Sequence, residues 1–333
     1  MIRRIIKQGH NTLTITLPSK WVKNYNVKPG GEISISETGS ALLISAEKKD
    51  DLLKTEIDIK ELDLPNIWKY MMAVYREGYD EITIKFNNTQ LYENPYKYFT
   101  PFTVDEKYYK SKPDLTPLEF LQLMAQRFVG YEVIEHHDNY AIIKDMAEVS
   151  SKQFDSSLRR VFLLLLQMGN ELTEAIKLNN PTMVRRTHDL DNNVDKFHDY
   201  CVRVLNKTGF QSAKKSHLIF STLFLLELLG DEFKHVAYHI MHSTKETKLI
   251  GIKTISQATL QHLQDFYQLY YQFDREKLLN MSRQDLDQLF SLPGMTKKLN
   301  TKPNPREIEI FNHFRRISRY ITSLIELRIE MEV

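Results

Sequence analysis

The sequence predicts a multidomain chain: a small β-rich head over residues 1–48, an α/β middle over 53–147 and an all-α region over 151–333. Three observations predict it. Apolar and polar residues alternate with period two in the first fifty residues, strand and helix patterns interleave in the middle, and apolar residues recur at helical spacing from Ser151 onward. A length of 333 residues suits two or three domains at about 100–200 residues each.

In the head, Leu13, Ile15 and Leu17 fall on one face of a strand and Thr12, Thr14 and Thr16 on the other. Pro18, which has no backbone donor, ends it. Ser19 is placed to cap a short helix from Lys20 to Tyr25, with Trp21 and Val22 turned inward. Pro29-Gly30-Gly31 makes a turn, Glu32–Ser36 alternates again, and Ala41–Ile44 follows a Thr38-Gly39-Ser40 turn. So small a unit holds little core, and the sequence predicts a second copy covering its apolar faces. Charge is just as uneven. Six basic residues and no acid lie between Met1 and Gly31, and with a net charge of +2 this leaves the remainder at −4. Such a head suits a polyanion.

These residues resemble the AbrB/SpoVT (MazE-like) swapped-hairpin DNA-binding domain. The resemblance runs through Arg3-Arg4, Lys7, Gly9, the Thr14–Pro18 strand end, Lys20-Trp21-Val22 and Val27-Lys28-Pro29-Gly30. It is most similar to the version at the front of archaeal PhoU-like proteins, which typically carry Leu-Pro-x-x-Trp-Val. Gly30-Gly31 stands where the family usually has Gly-Asp, and Gly9-His10-Asn11 where it often has a run of small residues. The resemblance implies a homodimer of interleaved hairpins that binds DNA through Arg3, Arg4 and Lys7, with Lys20 and Lys23 as flanking phosphate contacts. Arginine forks onto phosphate or guanine, and lysine acts as a point charge.

In the middle, Thr55–Ile59 reads as a strand, Leu64–Gly78 as a helix, and Asp80–Phe86 as a second strand. Thr116 caps a helix to Phe128, with Pro117 in its first turn, and Tyr131–Glu135 with Tyr140–Lys144 forms a hairpin. The order βαβ–αββ predicts an α/β sandwich of ferredoxin-like character. Between its halves lies an aromatic, proline-rich insertion, residues 87–115. Its Tyr and Phe residues with Lys97, Lys107, Lys110 and Lys112 would allow base stacking. The favoured reading is a packed surface excursion or a dimer contact.

The last region predicts helices over Leu158–Leu178, Thr182–Leu205, Ala213–His242, Ile252–Phe273, Arg283–Phe290 and Ile308–Ile329. Leu223–Leu226 is apolar all round, which marks a central helix. The pattern reads as two three-helix units, residues 151–245 and an irregular copy, 250–333. Asp191-x-x-x-Asp195 and Glu227-x-x-x-Asp231 place paired carboxylates on the faces of successive helices. These runs resemble the acidic motifs of PhoU proteins, whose three-helix bundles bind metal ions in several cases. The resemblance implies a divalent or ferric ion (Mg, Mn, Fe or Zn) held by Asp191, Asp195, Glu227 and Asp231, with His188 or His235 available as nitrogen ligands. In the second unit Arg283 with Asp287, and Arg319 with Ser323, take the corresponding positions, so that unit keeps at most a structural role.

The single cysteine, Cys201, excludes intrachain disulfides. The apolar runs fall well short of the roughly 20 residues of a membrane helix, so no membrane insertion is expected and the protein reads as cytoplasmic. Neither a glycine-rich phosphate loop nor a nucleophile with its base is visible, so it does not read as an enzyme. Taken together, the two resemblances imply an archaeal regulator of transcription, acting in phosphate uptake or metabolism, with a helical sensing or docking domain. The alternative is an adaptor whose head only dimerises and whose helices bind a phosphate transporter or a sensor kinase.

Overall fold

In the first of two units, Met1–Leu52, two antiparallel hairpins flank a short helix. The computed structural model describes residues 2–9, 12–38, 41–46, 52–97, 107, 110–147, 150–208, 213–243, 247, 249–290 and 304–333. Strand β1 (Ile6–Gln8) pairs with β2 (Thr12–Thr14), with Lys7 opposite Leu13. Helix α1 spans Ser19–Asn24, and β3 (Ser34–Thr38) pairs with β4 (Ala41–Ser45). The expected turn at Gly39-Ser40 lies outside the described residues.

Two expectations need correction. The strand expected over residues 12–17 ends at Thr14, and Ser19 does not cap the helix. Pro18 holds the cap position instead, with φ −63° and ψ 126° and no side-chain cap bond. Its ring already fixes the extended-to-helical entry angle, which moves the boundary one residue earlier. Trp21 and Val22 are only half-buried. No residue of the unit whose exposure is described (2–9, 12–35, 42, 44–46 and 52) is buried, and Ile2, Ile5 and Leu13 are 97%, 65% and 67% exposed.

The second unit is Leu53–Val333. Its sheet holds β5 (Lys54–Asp58), β6 (Glu81–Lys85), β7 (Tyr131–His136) and β8 (Tyr140–Asp145), in the order β5-β6-β8-β7. β5 and β6 are parallel, and the other pairs are antiparallel. The mixed α/β layer follows the sequence pattern. The ferredoxin-like strand order does not hold, because β5 and β6 are direct neighbours and no strand splits their crossover. Helix α2 (Leu64–Glu77) supplies that crossover. Asp63 caps it by accepting from Asn66 N at 2.9 Å, and Gly78, at φ 106°, closes it in the left-handed conformation glycine adopts without cost. Ile67, Trp68, Met71 and Tyr75 form its buried face. Helix α3 (Pro117–Gln126) opens with the expected Thr116 cap, completed as a capping box by Glu119.

The flanks of the aromatic insertion pack onto this layer. Tyr92 bridges to Leu115 and stacks on Phe120 at 5.0 Å, Asn94 Nδ2 donates to Pro113 O at 3.2 Å, and Lys97 pairs with Asp114 at 2.6 Å. Residues 98–106 and 108–109 lie outside the described residues.

The helices are α4 (Ser151–Lys177), α5 (Thr187–Thr208), α6 (Ala213–Met241), α7 (Lys253–Tyr271), α8 (Arg275–Phe290) and α9 (Pro305–Glu332). α4 begins before the expected Leu158 because Ser150 caps it, accepting from Gln153 N at 3.3 Å. α5 begins after the expected Thr182 because a 3₁₀ turn, Pro181–Val184, intervenes. α8 begins at Arg275, eight positions ahead of its expected Arg283 start. α6 is central, as its apolar run implies, and packs on α4, α5 and α9, though Phe224 faces solvent. α9 packs on both α6 and α7, and α4 packs on α7, so the helices before residue 245 and those after 250 share faces. Among the described residues, no helix is long and apolar enough to cross a membrane.

Arg203 of α5 ties the helices to the sheet layer. Its guanidinium is fully buried. It pairs with Asp145 Oδ2 at 2.6 Å, donates to the carbonyls of Tyr75 and Tyr79 at 2.8 Å each, and lies over the rings of Tyr75 and Tyr131 at 4.9 and 5.1 Å. Asp145 is itself almost fully buried. Removing the cation takes away that carboxylate's closest charged partner and leaves it Lys207 at 3.7 Å and the Ala147 N–H at 3.1 Å. Arg203→Met is therefore expected to lower the unfolding free energy by about 3–5 kcal/mol, measured by urea denaturation.

Candidate charged cleft and basic head

α5 and α6 approach closely where Gly230 faces Asp191. A Cβ at Gly230 would stand 3.1 Å from Asp191 Oδ1 and 3.2 Å from Val194 Cγ1. This contact sets the acids of the two helices around one cation. Lys234 Nζ lies 2.6 Å from Asp191 on α5 and 2.6 Å from Asp231 on α6. One turn further along α5, Asp195 lies 3.5 Å from Arg127, and after another turn the buried Asp199 takes Arg76 at 2.6 Å and Arg127 at 3.2 Å. Arg76 belongs to α2, and Arg127 follows α3 directly.

The four acids nominated from the sequence thus gather at one place. Asp195, Glu227 and Asp231 line a cleft of about 600 Å3 whose opposite wall includes Trp68, Lys69, Arg76 and Arg127. Asp191 lies beneath it, buried and held by Lys234. Burial pushes the carboxyl of Asp191 up to about 8, with repulsion from Asp195 adding to it. Burial also raises Glu227 to about 8, helped by Asp195 and Asp231, and raises Asp195. Asp199 goes the other way. Burial opposes its charge, but the His198 hydrogen bond and the two arginines outweigh that and hold it below the usual carboxylate range. Lys234 is held above its ordinary value by Asp191 and Asp231 in spite of burial. Burial thus biases Asp191, Asp195 and Glu227 toward their protonated forms.

Neither nominated histidine completes this set. His188 lies 3.2 Å from Asn192 through Nε2, and burial, with Lys234 nearby, lowers it to about 4. The His235 ring stacks on His313 at 5.2 Å. Arg283 and Arg319 are exposed, and the side chain of Asp287 lies outside the described residues. Sequence reasoning missed Asp199, which continues the four-residue spacing of Asp191 and Asp195, and Lys234, which follows Asp231 by three. It had no signal for Arg76 or Arg127, which come from another layer.

In the head, Arg3, Arg4, Lys7, Lys20 and Lys23 are all exposed, and none forms an ion pair among the described residues. Arg3 and Arg4 lead into β1, which carries Lys7, while α1 carries Lys20 and Lys23.

Lys234 neutralises one buried and one half-buried carboxylate. Lys234→Met is expected to cost about 3–5 kcal/mol of unfolding free energy, as for any buried pair that loses one partner. Adding Asp191→Asn should recover part of the loss in the same denaturant titration.

Residues 6–51 match the family model described as "Antidote-toxin recognition MazE, bacterial antitoxin". Among solved structures, PhoU from Pseudomonas aeruginosa superposes with a TM-score of 0.47 at 17% identity, covering 54% of this chain and 94% of that one. No curated protein matches the chain. The N-terminal unit is, in sequence, MazE/AbrB-like.

Proposed function

We propose that the chain is a DNA-binding transcriptional regulator that works as a homodimer, with its helical body as the sensing or docking part. The observation that carries this reading is the head: five exposed cations without acidic partners among the described residues, on a unit in which no residue of described exposure is buried, within a MazE-like sequence. Covering one exposed Leu or Ile is worth about 1.5–3 kcal/mol, which favours a second head as the cover. Pairing doubles the cations offered to a polyanion. Most of the affinity then comes from phosphates and falls with salt.

The expected result is a mobility shift of duplex DNA at low salt that Arg3→Ala with Arg4→Ala abolishes. For milder variants, the slope of log affinity against log salt should fall by about 0.9 for each phosphate that is no longer neutralised. No shift at low salt rejects the reading. It would favour the adaptor, whose head only dimerises and whose body docks a phosphate transporter or a sensor kinase; the exposed Phe220 and Phe224 of α6 favour such docking.

Control of phosphate uptake or metabolism rests on the PhoU-like acidic motifs. In this reading Asp191, Asp195, Glu227 and Asp231 bind Mg, Mn, Fe or Zn in the cleft. The raised Asp195 and Glu227 carboxyls support it, since a cation there relieves the repulsion that a proton otherwise relieves. Elemental analysis of the dialysed protein is expected to find that metal, and Asp195→Ala to lose it.

A further inference from the structure

Away from the cleft, where α6 meets α9, a second group of ligating side chains converges. We infer that His239, Glu309 and His313 form a binding site for a zinc-like divalent cation that clips α6 to α9. One ligand atom from each lies within 4.8 Å of the others. The two helices contribute at helical spacing: Glu309 and His313 are one turn apart on α9, and His235 and His239 one turn apart on α6. Two imidazoles and a carboxylate are a ligand set for borderline divalent metals, with zinc foremost, and leave a further position open.

The surroundings favour this use. His313 is buried, His239 is half-buried, and Glu309 at the rim is exposed and able to adjust. The Nδ1 atom of His239 is shielded from solvent and makes no hydrogen bond. Its ring lies 5.3 Å from that of His313, which in turn stacks on His235.

His313 has the partner that a ligating histidine needs. Its Nδ1 lies 2.6 Å from Glu232 Oε2, which orients the ring, and its Nε2, the nitrogen assigned to the metal, lies 3.4 Å from Arg316 Nη2. Arg316 also approaches Nδ1 at 2.6 Å and would suit the other tautomer. Binding of a cation selects the tautomer that donates to Glu232. Arg316 stays paired with Glu232 at 2.8 Å, so its charge is largely neutralised beside the site.

The probe is Zn2+ in equilibrium dialysis against the full chain, with Co2+ absorption reporting nitrogen ligation. One zinc per chain should bind at this site and raise Tm. Affinity is expected to fall about 100-fold or more in His239→Gln, and at least 10-fold in Glu309→Gln, each still folded by circular dichroism. Asp191→Asn with Asp231→Asn, which alters the acidic cleft, should leave this zinc and its Co2+ spectrum unchanged. Exposed Glu309 keeps the test decisive if a histidine variant fails to fold. Absence of zinc binding, full affinity in folded His239→Gln and Glu309→Gln, or loss of the ion only in the cleft variant would each overturn the assignment.

Discussion

One buried guanidinium organises the second unit. Arg203 reaches out of a helix and finds a carboxylate, two main-chain carbonyls and two aromatic faces, all supplied by the sheet layer. A buried charge is tolerated only when its hydrogen-bonding capacity is met, and here the sheet layer meets it. The consequence is positional. With α5 fixed on the sheet layer, the acids one and two turns before Arg203 face Arg127 and Arg76 instead of open water. The cleft is a by-product of that docking.

The cleft and the head show opposite ways of handling charge. In the cleft, acids outnumber the cations that touch them, and burial turns the excess into raised carboxyl values. In the head, cations stand exposed to water with no acid beside them among the described residues. The first arrangement suits a small cation or a proton whose arrival changes local stability. The second suits a long polyanion, where many weak, screened contacts sum. A regulator that senses with one part and binds with another needs both.

Local chemistry made much of the fold legible before any coordinates. The Thr116 cap and the Gly78 stop are written in adjacent residues, and each appeared where its pattern placed it. The gathering of Asp191, Asp195, Glu227 and Asp231 was legible too, because four-residue spacing on successive helices constrains where side chains face. What the pattern did not reveal comes from distant parts of the chain. Arg203 meets Tyr75 and Asp145, and Arg76 meets Asp199, only after two layers have packed, and nothing in their neighbourhoods marks them. The order of β5 and β6 was misread for a related reason, since the element string alone does not say which strand lies beside which. His239 and His313 went unnoticed because each is ordinary alone and acquires meaning only across the helix interface.

The proposed function turns on the head, and its physics is simple: no residue of described exposure in this β-rich unit is buried, and it opens on a run of positive side chains. The most direct measurement is chromosome-wide occupancy of the protein in its own cells, with and without Arg3→Ala and Arg4→Ala. Discrete sites that vanish in the altered protein are the expected result. Occupancy no higher than background in the unaltered protein, or sites unchanged by the removal of both arginines, would contradict it.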